Sequence, residues 1–328
     1  MNACSGNRTF RILVHACLFI FFVAGTVTVF RLILHYPVRK EHVPRKFGAT
    51  YMTMDNQYFE ILNSAIQEIV ESNGDILITR DPAQSQTKQN TQIMDMLDMG
   101  IDLVFLNPVD WKAVTPALIA CREKNVPVIN VDTNVFCSDC VASIVISDNY
   151  DAGVQIGKDI IAKRKAARIV VLNHNGINST DLRIRGFMDT IEKSSLDYRI
   201  VYKGITTSTL VSSMAVMQKF LDRGIGFDVV IGGNDPTALG ALAAMQKKHI
   251  ETRHILLYGI DGSPASKIMI QEGYMEGTAA QFPQIMGKKA AEIAYDYLSG
   301  RKIKSIVYIP VKLITRKNIE RFDVLDWQ

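Results

Sequence analysis

Residues Phe47–Thr79 read FGATYMTMDNQYFEILNSAIQEIVESNGDILIT, and this stretch decides the fold. Phe47–Met52 is a short apolar run of strand type. Phe59, Leu62, Ile66, Ile69 and Val70 then recur at helical spacing, which makes one face of a helix apolar. Asn73-Gly74 follows, a helix C-terminal stop signal. Asp75–Thr79 is a second strand-like run. Strands joined through a helix in this way pair in parallel, because the helix carries the chain back along the sheet.

The alternation continues outward from this unit. Further strand candidates are Leu103–Leu106, Val126–Val131, Ser143–Ile146, Ile169–Leu172, Arg199–Tyr202, Val229–Gly232, Ile255–Gly259 and Thr278–Ala280. Amphipathic stretches lie between them; Ile93 and Leu97 repeat the helical spacing and Gly100 stops it. Such a pattern predicts parallel sheets covered by helices on both faces. Ten strands in this length fit an α/β protein of two doubly wound lobes, with a closed (αβ)₈ barrel as the competing arrangement.

The composition agrees with a compact protein. With 328 residues, 48% hydrophobic, 21% charged, 21 Gly and 10 Pro, the chain is unlike disordered, collagen-like or coiled-coil sequences. Its net charge of +4 is local. Residues 1–46 carry seven basic side chains (Arg8, Arg11, Arg31, Arg39, Lys40, Arg45, Lys46) against Glu41, and the other 282 residues carry 30 basic and 32 acidic ones. No positive excess is left there to hold a phosphate backbone, which argues against a nucleic-acid partner.

Ile12–Leu34 (ILVHACLFIFFVAGTVTVFRLIL) is a run of 23 residues broken only by His15 and Arg31. At ~1.5 Å per residue it spans about 35 Å, enough for the roughly 30 Å of bilayer hydrocarbon. The expectation is a single-pass anchor between a short tail (1–11) and a basic linker (35–46), with Arg31 snorkelling and Tyr36 at the interface. A cleaved signal peptide and a buried core helix are the alternatives; the first calls for a shorter apolar run and an A-x-A-like site, absent here. Four basic residues follow the run and two precede it, but long domains translocate largely regardless of charge, so this count leaves the side open.

In open parallel sheets, ligands bind beyond the carboxyl ends of the strands. Nearly every strand candidate here ends in a short polar residue: Asn107, Asp132, Asp148, Asn173, Asn234 with Asp235, and Asp261. Helix N-capping is the plain explanation for any one of them. Asp132 differs, because the irregular stretch Thr133–Val141 follows it and leaves its carboxylate freer for a ligand. Arg183 lies inside a predicted helix among apolar Leu182, Ile184 and Phe187. A fixed guanidinium facing carboxylates and amides suits a neutral polyhydroxyl ligand, since carboxylates accept from hydroxyls and the guanidinium donates to oxygens. Tyr58 and Phe59 offer flat faces to a sugar ring, with core packing as the alternative.

The chain has no G-x-x-x-x-G-K-[ST] loop, G-x-S-x-G elbow, H-E-x-x-H or EF-hand loop, and its six His are scattered. Neither an enzyme, a cofactor nor a metal is expected. Cys137-Ser138-Asp139-Cys140 is a lone C-x-x-C with too few ligands for zinc. Outside the cytoplasm it is a candidate disulfide restraining the loop after Asp132. Cys4 and Cys17 belong to the anchor region, and Cys121 to a core-like helix.

In order and spacing, MTMDNQYFE (Met52–Glu60), FLNPVD (Phe105–Asp110), VPVINVD (Val126–Asp132), Ser147-Asp148-Asn149, RIRGF (Arg183–Phe187), GNDPTALGAL (Gly233–Leu242), YGIDGS (Tyr258–Ser263) and AQFPQIMG (Ala280–Gly287) resemble type I periplasmic sugar-binding proteins of the ribose/galactose class. The resemblance runs from about Phe47 to Val311 and shares its fold with lac-repressor-like ligand-binding domains. It implies two Rossmann-like lobes, 47–147 plus 282–310 and 148–281 plus 311–328, hinged near Ser147, Gln281 and Val311. It also implies monosaccharide contacts from Asn56, Tyr58, Phe59, Asp132, Arg183, Asn234, Asp261 and Gln281. Thr133 stands where the ribose pattern has an arginine, and Ser208 where it has a stacking phenylalanine, so the sugar is left open among pentoses and hexoses. The implied role is an extracytoplasmic, membrane-anchored subunit serving an ABC importer permease, or a co-receptor docking on a membrane sensor such as a histidine kinase. A transcriptional regulator is disfavoured, because the apolar run occupies the place of a helix-turn-helix.

Overall fold

The computed structural model describes residues 6–35 and 43–327. Residues 1–5 with Cys4, residues 36–42 with Tyr36 and much of the expected linker, and Gln328 lie outside the described residues. The chain divides into two compact units, parted between Val43 and Pro44. The first contains helix α1 (Gly6–His35), in which Phe10–Arg31 is long and apolar enough to cross a membrane by length and composition. Within this span the hydroxyls of Thr26 and Thr28 donate to the carbonyls of Val23 and Ala24, one turn back along the helix.

In the second unit the chain builds one sheet, crosses to another, and returns. β1 (Lys46–Thr50), α2 (Gln57–Ser72), β2 (Ile76–Arg80), α3 (Gln86–Asp98), β3 (Leu103–Leu106), α4 (Thr115–Glu123), β4 (Val128–Val131) and β5 (Ser143–Ser147) come first. After the first crossing follow α5 (Asn149–Lys163), β6 (Ala166–Asn173), α6 (Asn178–Glu192), β7 (Asp197–Ile205), α7 (Leu210–Leu221), β8 (Val229–Gly232), α8 (Asp235–Lys247), β9 (Leu256–Asp261), α9 (Pro264–Gln271) and β10 (Gly277–Ala280). α10 (Pro283–Leu298) and β11 (Ile306–Ile309) go back to the first sheet, and β12 (Lys312–Thr315) to the second. Each sheet is open and six-stranded, in the orders β11-β5-β4-β3-β1-β2 and β12-β10-β9-β8-β6-β7, so the arrangement is two lobes and not a barrel. All pairings are parallel except β12 against β10.

The central strands are apolar on both faces because both faces are covered. Along β3, Leu103 and Phe105 enter the core beneath α2 and α10, while Val104 and Leu106 enter the one beneath α3 and α4. Val171 of β6 packs toward α5 and α6, and its neighbours Val170 and Leu172 toward α7 and α8. β11 and β12 were not among the sequence candidates. They are edge strands of different sheets separated only by Pro310-Val311, so the sequence presents one interrupted run where the fold has two strands.

Candidate functional site

β1, β3 and β4 end on the same side of the first sheet, and the loops beyond them face the ends of β6, β8 and β9. The backbone at Asp132 turns sharply after β4, with φ of 64°, a left-handed conformation that Asp tolerates better than most side chains. Its carboxylate is buried. Oδ2 accepts from Asn107 Nδ2 at 3.0 Å and from Thr133 Oγ1 at 3.0 Å, and the Tyr58 hydroxyl, which donates to Met286 Sδ at 3.8 Å, is close enough to interact with the same carboxylate. Burial raises the Asp132 pKa, against the lowering pull of Arg183 on the opposite lobe.

Arg183 projects from α6 into this space because α5 and α6 meet through glycines. A Cβ at Gly153 would collide with the Arg183 carbonyl oxygen, and one at Gly186 with that of Tyr150. The close approach lets Arg183 Nε donate to Asn149 Oδ1 at 2.8 Å, while Nη1 donates to the Gly233 carbonyl at 2.9 Å and lies 3.6 Å from Asp261 Oδ1. The guanidinium is thus aimed before any ligand arrives.

Asp261 ends β9 with φ of 145°. Gln281 Nε2 donates to its Oδ1 at 2.8 Å, and the backbone N–H of Asp235 to Oδ2 at 3.4 Å. Burial pushes its pKa up to about 7, with Arg183 pulling down and the neighbouring Asp235 pushing up. Gln281 Oε1 is buried with no partner among the described residues, as is Asn173 Oδ1 at the end of β6. Buried acceptors in this condition favour a ligand hydroxyl.

The sequence-derived residues are not all placed alike. Tyr58, Asp132, Arg183, Asp261 and Gln281 converge; burial raises the Tyr58 pKa, followed by the charges of Asp132 and Asp261, so its hydroxyl stays protonated and able to donate. Asn56 and Asn234 are helix N-caps, their oxygens accepting from the N–H groups of Tyr58 and Thr237, each at 3.0 Å. Asn234 also donates to the Ser208 carbonyl at 3.1 Å. Phe59 belongs to the first lobe's core, its ring 5.9 Å from Tyr51 and 5.4 Å from Tyr58. Cys137 and Cys140 form a disulfide in the loop after Asp132.

Two participants, Asn149 and Ser179, carried no sequence signal as ligand-site residues. Asn149, quoted only within a motif, orients Arg183. Thr133 and Ser179, from opposite lobes, bring their hydroxyls to 3.2 Å. Such a contact depends on how the lobes meet, which no local pattern encodes. Among the described residues, no group of His, Cys, Asp and Glu is arranged to hold a metal ion.

A model of the periplasmic binding protein domain matches residues 47–302. The ribose import binding protein RbsB of Bacillus subtilis is 28% identical over 272 residues, covering 82% of this chain and 87% of that protein. Among solved structures, the Caulobacter myo-inositol binding protein bound to myo-inositol superposes with a TM-score of 0.80 at 25% identity, covering 85% of this chain and 97% of that one. An ABC transporter solute binding protein from Bacillus halodurans with bound myo-inositol gives a TM-score of 0.80 at 21% identity, covering 86% and 98%.

Proposed function

This chain belongs to the periplasmic binding protein domain family, and from that premise we propose that it is a sugar-binding protein of the ABC-transporter type, not an enzyme, which closes on one monosaccharide between its lobes. The lobes of this reading are 47–147 with 282–310 and 148–281 with 311–328, turning about Ser147, Gln281 and Val311. The observation that carries it is the confrontation of Asp132 in one lobe with Arg183 in the other, next to Asp261, Tyr58 and an unpaired Gln281 oxygen. Carboxylates accept from sugar hydroxyls, the guanidinium donates to hydroxyl or ring oxygens, and Tyr58 adds a ring and a donor. Asn56 and Asn234 present their amides beside their caps, and Phe59 backs Tyr58. With Thr133 and Ser208 replacing an arginine and an aromatic of the ribose pattern, ligands other than ribose belong among the candidates.

In the same reading α1 anchors an extracytoplasmic binding unit in the cell membrane, and an ABC importer permease receives the sugar. A second reading, docking on a membrane sensor such as a histidine kinase, is favoured by α1 and the linker 35–46, which keep the binding unit at the membrane for a standing complex. Calorimetry of the full-length protein in detergent against pentoses, hexoses and myo-inositol tests the ligand class: one sugar should bind with one-to-one stoichiometry. Silence across that panel would remove the reading. Carbonate extraction should leave the chain in the membrane fraction; recovery as soluble protein starting beyond residue 24 would show a cleaved signal instead.

A further inference from the structure

After β12 the chain first stays with the second lobe. Ile319, Phe322 and Val324 pack in the core beside α7, α8 and α9. Lys267 of α9, wholly buried, donates its ammonium to the carbonyl oxygens of Asp323 and Asp326. One residue further on, Trp327 lies in the core of the other lobe, 7% exposed, among residues of β1, α2 and α10. Its ring centroid is 5.7 Å from that of Tyr58 with the planes at 72°, and Phe59 meets the same tyrosine at 87°. Two edge-on contacts therefore hold the Tyr58 ring, whose hydroxyl interacts with Asp132.

We infer that Trp327 is a positioning residue of the ligand site: pinned to the second lobe through Lys267, it holds Tyr58 of the first lobe in place, and does so only while the lobes are closed. The inference rests on the proposed function. Hinge opening draws α9 away from α2, so one end of the segment must let go. Releasing it from Lys267 strips a buried ammonium of two acceptors, whereas withdrawing Trp327 exposes one indole whose N–H has no partner among the described residues. The second is the smaller loss, because an unpaired buried charge is costlier than an exposed ring. Trp327 is thus the end that undocks, and Tyr58 loses one side of its clamp when it does.

The chain has two tryptophans, Trp111 and Trp327, and Trp111 lies beside Phe136 and Lys112, away from Tyr58. In full-length Trp111→Phe protein in detergent, saturation with the tightest sugar of the panel should move Trp327 emission to the blue and reduce its quenching by acrylamide. In the wild-type background, Trp327→Ala should weaken binding by ~10-fold, and Trp327→Phe, which keeps a ring, by less than ~3-fold. Unchanged Trp327 emission and quenching at calorimetric saturation would overturn the inference alone, as would wild-type affinity in Trp327→Ala. The emission measurement decides even if Trp327→Ala does not fold. A wild-type protein that binds no sugar of the panel overturns the functional reading and the inference with it.

Discussion

Asp261 illustrates what a single side chain does in this site. Its carboxyl is enclosed by Arg183, Asp235, Gln281 and, across the cleft, Tyr58, and burial outweighs the attraction of the guanidinium. An acid whose pKa is higher in the folded protein holds its proton more tightly there. Its stabilising contribution is therefore full at low pH and is lost as pH rises from the ordinary value of about 4 through about 7. Asp261→Asn removes that loss. Relative to wild type, the variant should gain on the order of 1–3 kcal/mol of stability between about pH 4 and pH 7, and nothing further below that window. Thermal unfolding of both proteins across this range checks the sign; a difference independent of pH would contradict the buried, protonated carboxyl. The polar ends of the strands were legible one at a time, because capping and ligand binding call for the same short side chains. Which residue does which was not: Asn234 caps α8 and also bonds Ser208, whereas Asp261 leaves the cap of the helix that follows it to Ser263 and receives Gln281 and the first N–H of α8.

At the scale of elements, the site depends on how closely α5 and α6 approach. Gly153→Ala would set a methyl group against the Arg183 carbonyl oxygen and 2.5 Å from the Phe187 nitrogen. Backbone atoms cannot yield as a side-chain tip does, so the helices must separate and the 2.8 Å bond from Arg183 to Asn149 lengthens. We expect a stability loss of about 1–3 kcal/mol in denaturant unfolding, together with weaker sugar binding. Wild-type values for both would show that the helix contact does not set the guanidinium. The helices and inner strands could be read from the sequence because burial on both faces writes continuous apolar runs, as in Leu103–Leu106 and Val229–Gly232. β11 and β12 could not: each has a single strand neighbour, β11 is half exposed, and Pro310 interrupts the run they share. The RIRGF motif placed Arg183 on its helix, but nothing in it identifies Asn149 as the partner that aims it.

For the whole molecule, the contacts that matter most join parts far apart in sequence. Thr133 reaches Ser179, the charge of Arg183 acts on Asp132, and Trp327 touches Tyr58, so in the proposed reading closure assembles the site. If ligand moves the lobes from about 1% to 99% closed, its preference for the closed form must be roughly 10⁴-fold, or about 5.5 kcal/mol. Several hydrogen bonds made only in the closed cleft supply that, at about 1–3 kcal/mol for each one involving a charged group. The central claim is that one sugar is held by both lobes at once. The most direct test is calorimetric titration of the full-length protein with its tightest monosaccharide, in wild type, Asp132→Ala and Arg183→Ala. Each substitution lies on a different lobe, and each should weaken binding by on the order of 2–4 kcal/mol by leaving polar partners unpaired in the closed cleft. Wild-type affinity in either folded variant would mean that one lobe alone holds the ligand, and would contradict the account.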